Sequence, residues 1–172
     1  SPTSILINSC VALKLMLSIS KGITSHDQSV RRGLFKKGVA DIETIELDGK
    51  EILIVGFGRI GKSLINKCKS FNMVLKIFDP YVNNETIKKL GCEKVENLED
   101  AFKTSDYISL HVPKTKETQN LINLESLKLM KKNCIIINTS RGGVINENDL
   151  DLANKKKIIF GAGIDVFETE PV

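Results

Sequence analysis

Short runs of apolar residues, separated by stretches with helical spacing, constrain the fold of this 172-residue chain more than any other feature. The runs are rich in Ile, Val, Leu and Phe, and they predict strands at 52–55, 74–78, 107–112, 134–138 and 158–166, with a weaker one at 92–95. They are continuous rather than alternating, which is typical of parallel strands buried on both faces. With helices as right-handed crossovers, the pattern predicts an α/β fold with a doubly wound parallel sheet.

Two helices are predicted before the first strand. The first covers Ile5–Ile19 and is apolar on most of its surface, so we expect other parts of the protein to cover it. It is interrupted by Lys14, well short of the roughly 20 apolar residues that a membrane span requires. The second begins with Thr24 or Ser25 as N-cap and ends near Phe35. We therefore expect no membrane segment here.

Composition argues against nucleic acid as a partner. The 25 Lys and Arg residues exceed the 21 Asp and Glu residues by only four, and the excess is spread along the chain. Nucleic-acid binding needs a concentrated basic face and stacking aromatics, but aromatic residues make up 5% of the chain and Trp is absent.

The cysteines indicate neither a metal site nor a disulfide framework. They stand at 10, 68, 92 and 134, without a C-x-x-C or Cys/His spacing. Free thiols fit a reducing compartment, which predicts a cytoplasmic protein without a metal ion.

The first candidate site directly follows the first predicted strand. Residues 56–61 read Gly-Phe-Gly-Arg-Ile-Gly, a G-x-G-x-x-G pattern that opens a predicted helix. In this context Gly56 permits the tight turn, Gly58 lets a pyrophosphate approach the backbone, and Gly61 lets the helix pack closely on the strand. The helix N-terminus adds free N–H groups for the phosphates.

An acidic residue stands where such a site needs one. Asp79 ends the second predicted strand, 18 residues after Gly61, and its carboxylate can accept hydrogen bonds from both hydroxyls of an adenosine ribose. The same charge repels a 2′-phosphate, so the sequence predicts NAD rather than NADP. The alternative is a turn or capping Asp in a glycine-rich fold that binds nothing.

Three later strands also end in polar clusters, which read HVPKTKET at 111–118, NTSRGG at 138–143 and GAGIDVFETEP at 161–171. Ligands bind at the carboxyl ends of strands in an open parallel sheet, so these clusters are candidates for contact with a nicotinamide and a substrate. With the glycine loop, they make the chain resemble the NAD-dependent D-2-hydroxyacid dehydrogenases, the family that includes D-3-phosphoglycerate dehydrogenase. The resemblance covers about residues 11–171.

The resemblance implies a domain organisation. The whole chain, 1–172, is the NAD-binding (coenzyme) domain, with an interdomain helix at 1–22 and a Rossmann core at 50–172. The family's substrate domain is then largely absent, and the chain is a portion of a longer enzyme. Family members also pair through this domain, so a homodimer is expected.

Cofactor contacts are implied in all four motifs. Beside the three glycines, the resemblance assigns Arg59 and Ile60 to the pyrophosphate, Asp79 to the ribose, Val112, Pro113 and Thr118 to closure over the cofactor, Thr139, Ser140 and Arg141 to the nicotinamide side, and Asp165 to the carboxamide.

Two catalytic residues are implied by the same resemblance. Arg141 matches the arginine that grips the carboxylate and carbonyl of a 2-oxo acid, a task suited to a permanently charged, forked guanidinium. Glu170 matches the carboxylate that pairs with the catalytic histidine and raises its pKa, while Glu168 is expected to be solvated or structural. From the residues alone, a surface Arg in a turn and an exposed Glu are the preferred interpretations.

Neither histidine of the chain matches the family's proton donor. That residue follows the 165–171 motif in the family, whereas His26 falls on an N-terminal helix and His111 in a strand-end motif. The resemblance implies an oxidoreductase that transfers a hydride between NAD(H) and a D-2-hydroxy acid or 2-oxo acid, with 3-phosphoglycerate as one candidate substrate. Because the proton donor is missing, we expect this chain alone to be inactive. The alternatives are a non-catalytic NAD-sensing or dimerisation module of the corepressor type, and a formate or phosphite dehydrogenase of the same architecture.

Overall fold

Six parallel strands form one sheet in the computed structural model, which describes residues 2–34 and 42–171. The strands are Glu51–Val55 (β1), Val74–Phe78 (β2), Glu93–Lys94 (β3), Tyr107–Leu110 (β4), Ile135–Asn138 (β5) and Gly161–Ile164 (β6). The helices are Pro2–Ser20 (α1), Ile23–Arg31 (α2), Arg59–Lys69 (α3), Asn84–Lys88 (α4), Leu98–Thr104 (α5), Leu124–Leu129 (α6) and Glu147–Lys155 (α7). The predicted α/β fold is confirmed.

The strand order is β3-β2-β1-β4-β5-β6, as expected for a doubly wound sheet. The chain moves outward in one direction from β1 and in the other from β4, so the loops that follow these two strands diverge and leave a crevice between them. Every strand ends at the same edge because all pairings are parallel. The polar clusters predicted at strand ends therefore share one edge.

Apolar layers on both faces of the sheet explain why the strand sequences are continuous rather than alternating. In β1, Ile52 and Ile54 face the layer formed with α1, α3 and α4, whereas Leu53 and Val55 face the layer formed with α5, α6 and α7. All four side chains are at most 1% exposed. Burial of each side chain contributes about 1.5–3 kcal/mol to the stability of the fold. This packing holds β1 in place at the sheet edge on which the site is built.

The second helix begins earlier than its sequence suggests. Gly22, not Thr24 or Ser25, is the N-cap residue of α2, and its left-handed backbone (φ 56°) turns the chain directly from α1 into α2. The helix ends at Arg31 and residues 32–34 are not helical, so the predicted end near Phe35 is wrong by about one turn; Phe35 itself lies outside the described residues. Because this glycine bends the chain by 58° between the two helices, α2 begins before a Ser or Thr could cap it.

The last strand is shorter than its apolar run. The run at 158–166 contributes only Gly161–Ile164 to the sheet. Lys157 adopts a left-handed backbone (φ 53°), and the N–H of Ile158 returns to the carbonyl of Ala153 at the end of α7. Residues 158–160 therefore form a bend before the strand begins.

A polar cluster joins the amino ends of β1 and β2 to the end of α5. Lys76 Nζ lies 2.8 Å from a carboxylate oxygen of Glu51, and the hydroxyls of Thr104 and Ser105 donate to the other oxygen at 2.6 and 3.2 Å. Burial alone would raise the pKa of Glu51, but the hydrogen bonds and the charge of Lys76 outweigh it and hold this pKa below its usual 4.5.

We expect Glu51→Gln to lower the free energy of unfolding by about 1–2 kcal/mol near pH 7, because the Glu51 and Lys76 side chains are only 18% and 17% exposed. Because folding lowers the pKa of Glu51, its charge stabilises the fold at pH values above the pKa of the unfolded chain. This contribution is lost as the pH falls through the pKa of the folded protein. The difference between variant and wild type should therefore shrink near pH 3 in urea unfolding.

Asp151→Asn is the control for this prediction, since the Asp151–Lys155 pair is 60% and 72% exposed. Its effect should stay below about 0.5 kcal/mol. A Glu51→Gln difference that is equally large at both pH values would contradict the role given to the Glu51 charge.

Within residues 2–34 and 42–171, no single helix is long and apolar enough to cross a membrane, and only α1 and α2 together, with a 58° bend, reach that length and composition. In the same residues, no three His, Cys, Asp or Glu side chains cluster as a metal site. The four cysteines are free thiols, and only Cys10 is exposed.

Candidate coenzyme-binding site

The glycine loop after β1 is built as its sequence pattern predicts. Gly56 has a φ of +101°, and a Cβ atom on it would lie 2.5 Å from the carbonyl oxygen of His111. A Cβ on Gly61 would overlap the carbonyl oxygen of Gly56. These two glycines thus let β1, β4 and the start of α3 come together.

Gly58 differs from Gly56 and Gly61, because a Cβ on it would meet no atom within 4 Å. It is the N-cap of α3, and no side chain caps the helix. The N–H groups of the first turn therefore have no side-chain acceptor, and Arg59 and Lys62 on that turn add positive charge. The Lys62 ammonium lies 4.7 Å from the centre of the Phe57 ring. An open cradle of N–H donors and cations fits the pyrophosphate of a dinucleotide.

Asp79 lies beside this loop at the end of β2. One oxygen of its carboxylate accepts a hydrogen bond from the N–H of Phe57 at 2.8 Å, and the other accepts one from the N–H of Tyr81 at 2.9 Å. The side chain is half-buried, and each oxygen keeps a further acceptor site. The carboxylate therefore anchors the glycine loop and can still accept hydrogen bonds from a ribose.

A cavity of about 200 Å³ continues from the glycine loop along the ends of β4 and β5. We call it the strand-end cavity; its lining residues come from α1, α3 and the loops after β4 and β5, and they are Asn8, Ile60, His111, Val112, Pro113, Thr139, Ser140 and Arg141. Six of these eight were predicted as cofactor contacts. Asn8 was missed because nothing in the local sequence of α1 indicates what the helix packs against, and His111 was identified in its motif but given no role.

An Asn turn holds the chain between β5 and Arg141. Asn138 accepts hydrogen bonds from the N–H and the hydroxyl of Ser140 at 3.0 and 2.7 Å, and its amide donates to the carbonyl of Arg141 at 3.0 Å. The guanidinium of Arg141 is exposed and donates to the carbonyl of Ser140 at 2.6 Å. Asn138 is thus a positioning residue; the signal for it was an Asn at the end of an apolar run, followed by Thr-Ser.

The Arg141 turn packs on the 165–170 segment. Gly142 lies so close to the carbonyl of Phe167 that a Cβ atom would overlap it. The N–H of Asp165 donates to the carbonyl of Asn138 at 3.0 Å, and Asp165 itself is exposed. The Arg141 turn and the 165–170 segment, which are more than twenty residues apart in the chain, are therefore neighbours at this edge.

Glu170 and Glu168 have different surroundings. The exposed carboxylate of Glu170 accepts a hydrogen bond from the N–H of Phe167 at 2.9 Å. The backbone N–H of Glu168 donates a hydrogen bond to the carboxylate of Glu147 at 2.6 Å. The side chain of Glu168 is exposed. The Glu170 carboxylate is thus held at the Arg141 side of the edge.

Thr118 does not line the strand-end cavity. Its hydroxyl accepts a hydrogen bond from the N–H of Thr115 at 2.8 Å and donates to the carbonyl of Pro113. These bonds close a turn whose Lys114 side chain covers Gly143. Thr118 therefore shapes the loop over the cavity, and its cofactor contact stays a prediction.

The two histidines occupy different parts of the fold. His26 lies on α2, next to Gly22. The ring of His111 lies at the end of β4 with Nε2 at 2.8 Å from the hydroxyl of Ser109. Burial lowers the pKa of His111 to about 4, so this imidazole is uncharged near neutral pH.

The model of the "D-isomer specific 2-hydroxyacid dehydrogenase, NAD binding domain" family matches residues 13–172. The chain belongs to this family. The predicted resemblance and the Rossmann-type sheet are confirmed, and NAD is the cofactor of the domain.

Individual members of the D-2-hydroxyacid dehydrogenase family are similar over nearly the whole chain. A glyoxylate reductase from Thermococcus litoralis is 43% identical over 166 residues, which are 94% of this chain and 50% of the relative. A D-3-phosphoglycerate dehydrogenase from Methanocaldococcus jannaschii is 38% identical over 161 residues, 94% of this chain and 30% of the relative. The chain thus spans half or less of the length of these curated relatives.

Solved structures of the family agree with the fold. The D-lactate dehydrogenase from Aquifex aeolicus, complexed with NAD and lactic acid, superposes with a TM-score of 0.88 at 34% identity, covering 99% of this chain and 49% of that one. The D-lactate dehydrogenase from Escherichia coli, without ligand, gives 0.88 at 32% identity, covering 97% of this chain and 52% of that one.

Proposed function

We propose that this chain is the coenzyme domain of an enzyme that transfers a hydride between NAD(H) and a D-2-hydroxy acid or 2-oxo acid. The observation that carries the proposal is that the glycine loop, the Asp79 carboxylate and the Arg141 turn share one edge of the sheet. When bound there, NAD supplies or accepts the hydride. Glyoxylate and 3-phosphoglycerate are the first substrates to test, because relatives are named for them.

In this proposal Arg141 holds the carboxylate and carbonyl of the 2-oxo acid. A guanidinium keeps its charge at any working pH and presents parallel N–H donors to two oxygens. The fixed backbone of the Asn138 turn supports the role, since an exposed side chain needs a rigid base to be oriented. The charge on Arg141 also polarises the carbonyl towards hydride attack.

We further propose that the proton comes from a histidine other than His26 and His111, paired with Glu170. An imidazole whose pKa is about 4 is a poor proton donor near neutral pH, which argues against His111. A carboxylate next to a histidine favours the charged ring and raises its pKa. The exposed Glu170 oxygen that makes no hydrogen bond within the described residues is available for such a partner.

The homodimer also remains a proposal. Support comes from α1, where Leu6 and Ile7 are 57% and 55% exposed. Apolar side chains that face water in neighbouring positions favour a covering surface, which for an interdomain helix can be the substrate domain as well as a second copy of this chain.

Titration of this chain with NADH and NADPH, followed by cofactor fluorescence, tests the proposal. Because the chain has no Trp, protein background is low. We expect saturable NADH binding, clearly weaker NADPH binding, and no NADH oxidation on addition of glyoxylate.

Rapid NADH oxidation by the pure chain would show that its own residues supply the proton, which contradicts the proposal that the donor is a histidine other than His26 and His111. A chain that is folded by circular dichroism but binds neither cofactor would contradict the coenzyme-domain proposal itself. Equal binding of both cofactors would contradict the role given to Asp79.

A further inference from the structure

Two buried polar atoms at neighbouring strand ends lack a hydrogen-bond partner within the described residues. They are Nδ1 of His111 and Oγ1 of Thr139. The parallel register aligns Leu110 of β4 with Asn138 of β5, so His111 and Thr139 are the next pair along the two strands. Both residues line the strand-end cavity. An unpaired buried polar group destabilises the fold, so two of them beside one cavity indicate that a ligand completes their hydrogen bonding.

The surroundings of Ser109 determine which ring nitrogen of His111 carries the proton. The Ser109 hydroxyl is fully buried, and its one hydrogen-bond contact within the described residues is Nε2 of His111 at 2.8 Å. If Nε2 carried the proton, the hydroxyl proton of Ser109 would have no acceptor. If Ser109 donates to Nε2, both groups are satisfied and the proton of the neutral ring is on Nδ1. The imidazole then carries a buried N–H donor that has no acceptor within the described residues, and it belongs to a residue that lines the cavity.

We propose that His111 is a positioning residue of this site, whose Nδ1–H donates a hydrogen bond to a ligand oxygen next to the Thr139 hydroxyl. The oxygen is a hydroxyl or carbonyl oxygen of the nicotinamide half of NAD, or an oxygen of the 2-oxo acid. The inference rests on the proposed function. It adds a side-chain contact by His111, the residue directly before Val112 and Pro113, which were themselves predicted as cofactor contacts.

A matched pair of variants isolates Nδ1. The amide of an Asn reaches the position of Nδ1 in a His ring, whereas the longer Gln reaches the position of Nε2. His111→Gln can therefore keep the contact with Ser109 but loses the donor to the cavity, and His111→Asn does the reverse. We expect His111→Gln to weaken NADH binding about five- to tenfold and His111→Asn to stay within about threefold of the wild type.

Shortened ligands identify the source of the oxygen. Equal weakening of NADH and ADP-ribose, with ADP unchanged, assigns the contact to the ribose. Weakening of NADH alone assigns it to the carboxamide. If the His111→Gln variant binds all three normally but its NADH complex binds the 2-oxo acid analogue oxamate more weakly, the oxygen belongs to the substrate.

Nitrogen-15 NMR of labelled histidine measures the chemical shifts of the ring nitrogens. Ligand addition would leave the Nδ1 shift of His111 unchanged if this residue had only a structural role. Only two rings contribute, His26 and His111, so assignment is direct. We expect the ring proton of His111 to be on Nδ1, and the chemical shift of Nδ1 to change when NADH or oxamate is added. A proton on Nε2, or unchanged binding of every ligand by His111→Gln, would overturn the inference. A wild-type chain that binds no NADH would instead overturn the proposed function.

Discussion

Gly58→Ala should weaken NADH binding roughly tenfold or more without destabilising the fold. The backbone of Gly58 is extended (φ −75°, ψ −170°), which any residue adopts, and its Cβ would meet no protein atom within 4 Å. Alanine there also restricts the unfolded chain, so the free energy of unfolding should be unchanged or rise by up to about 1 kcal/mol. In the proposed complex, the methyl group fills the space that the pyrophosphate needs.

Gly61→Ala is the matched contrast on the same loop. Its Cβ would overlap the carbonyl oxygen of Gly56, and backbone cannot give way as a flexible side chain can. We expect this variant to lose about 1–3 kcal/mol of stability together with its NADH affinity. Urea unfolding followed by circular dichroism, beside NADH titration, separates the two glycines. If Gly58→Ala bound NADH as the wild type does, the pyrophosphate would not lie on this loop.

The fold could be predicted from the sequence because burial on both faces makes the strands continuous apolar runs. The coenzyme loop could be predicted for a related reason. Gly56 and Gly61 are needed wherever a strand turns directly into a helix, and Asp79 ends the adjacent strand of the same parallel sheet. Local pattern and sheet topology together therefore determine this half of the site.

The other half depends on contacts that local pattern does not contain. Asn8 lines the cavity because α1 crosses the sheet where β6 is Gly161 and Gly163, which admit Ile19 and Leu15. The pairing of His111 with Thr139 depends on the exact register of two strands. A sequence pattern locates strands to within a few residues, and one residue of register changes which side chains meet.

Asp79→Asn should reduce the preference of the chain for NADH over NADPH by at least one to two orders of magnitude. A hydrogen bond to a charged group contributes about 1.5–3 kcal/mol, so loss of the charge weakens NADH binding roughly ten- to hundredfold. NADPH should bind more tightly than before, because the carboxylate no longer repels the 2′-phosphate. Parallel fluorescence titrations with the two cofactors measure both changes.

The choice of Asn rather than Ala separates the two tasks of this carboxylate. The one amide oxygen of the Asp79→Asn variant can still accept the hydrogen bond from the N–H of Phe57, and the N–H of Tyr81, whose bond to Asp79 is exposed, can turn to water. Asp79→Ala leaves the Phe57 donor unpaired and should also cost about 1–3 kcal/mol of stability. Asp48→Asn, which changes an exposed carboxylate bonded to Asn72, should leave both affinities unaltered. If Asp79→Asn kept the NADH preference while Asp79→Ala lost binding and stability together, Asp79 would serve only to anchor the loop. The preference for NAD would then have to come from the shape of the pocket around the ribose rather than from charge.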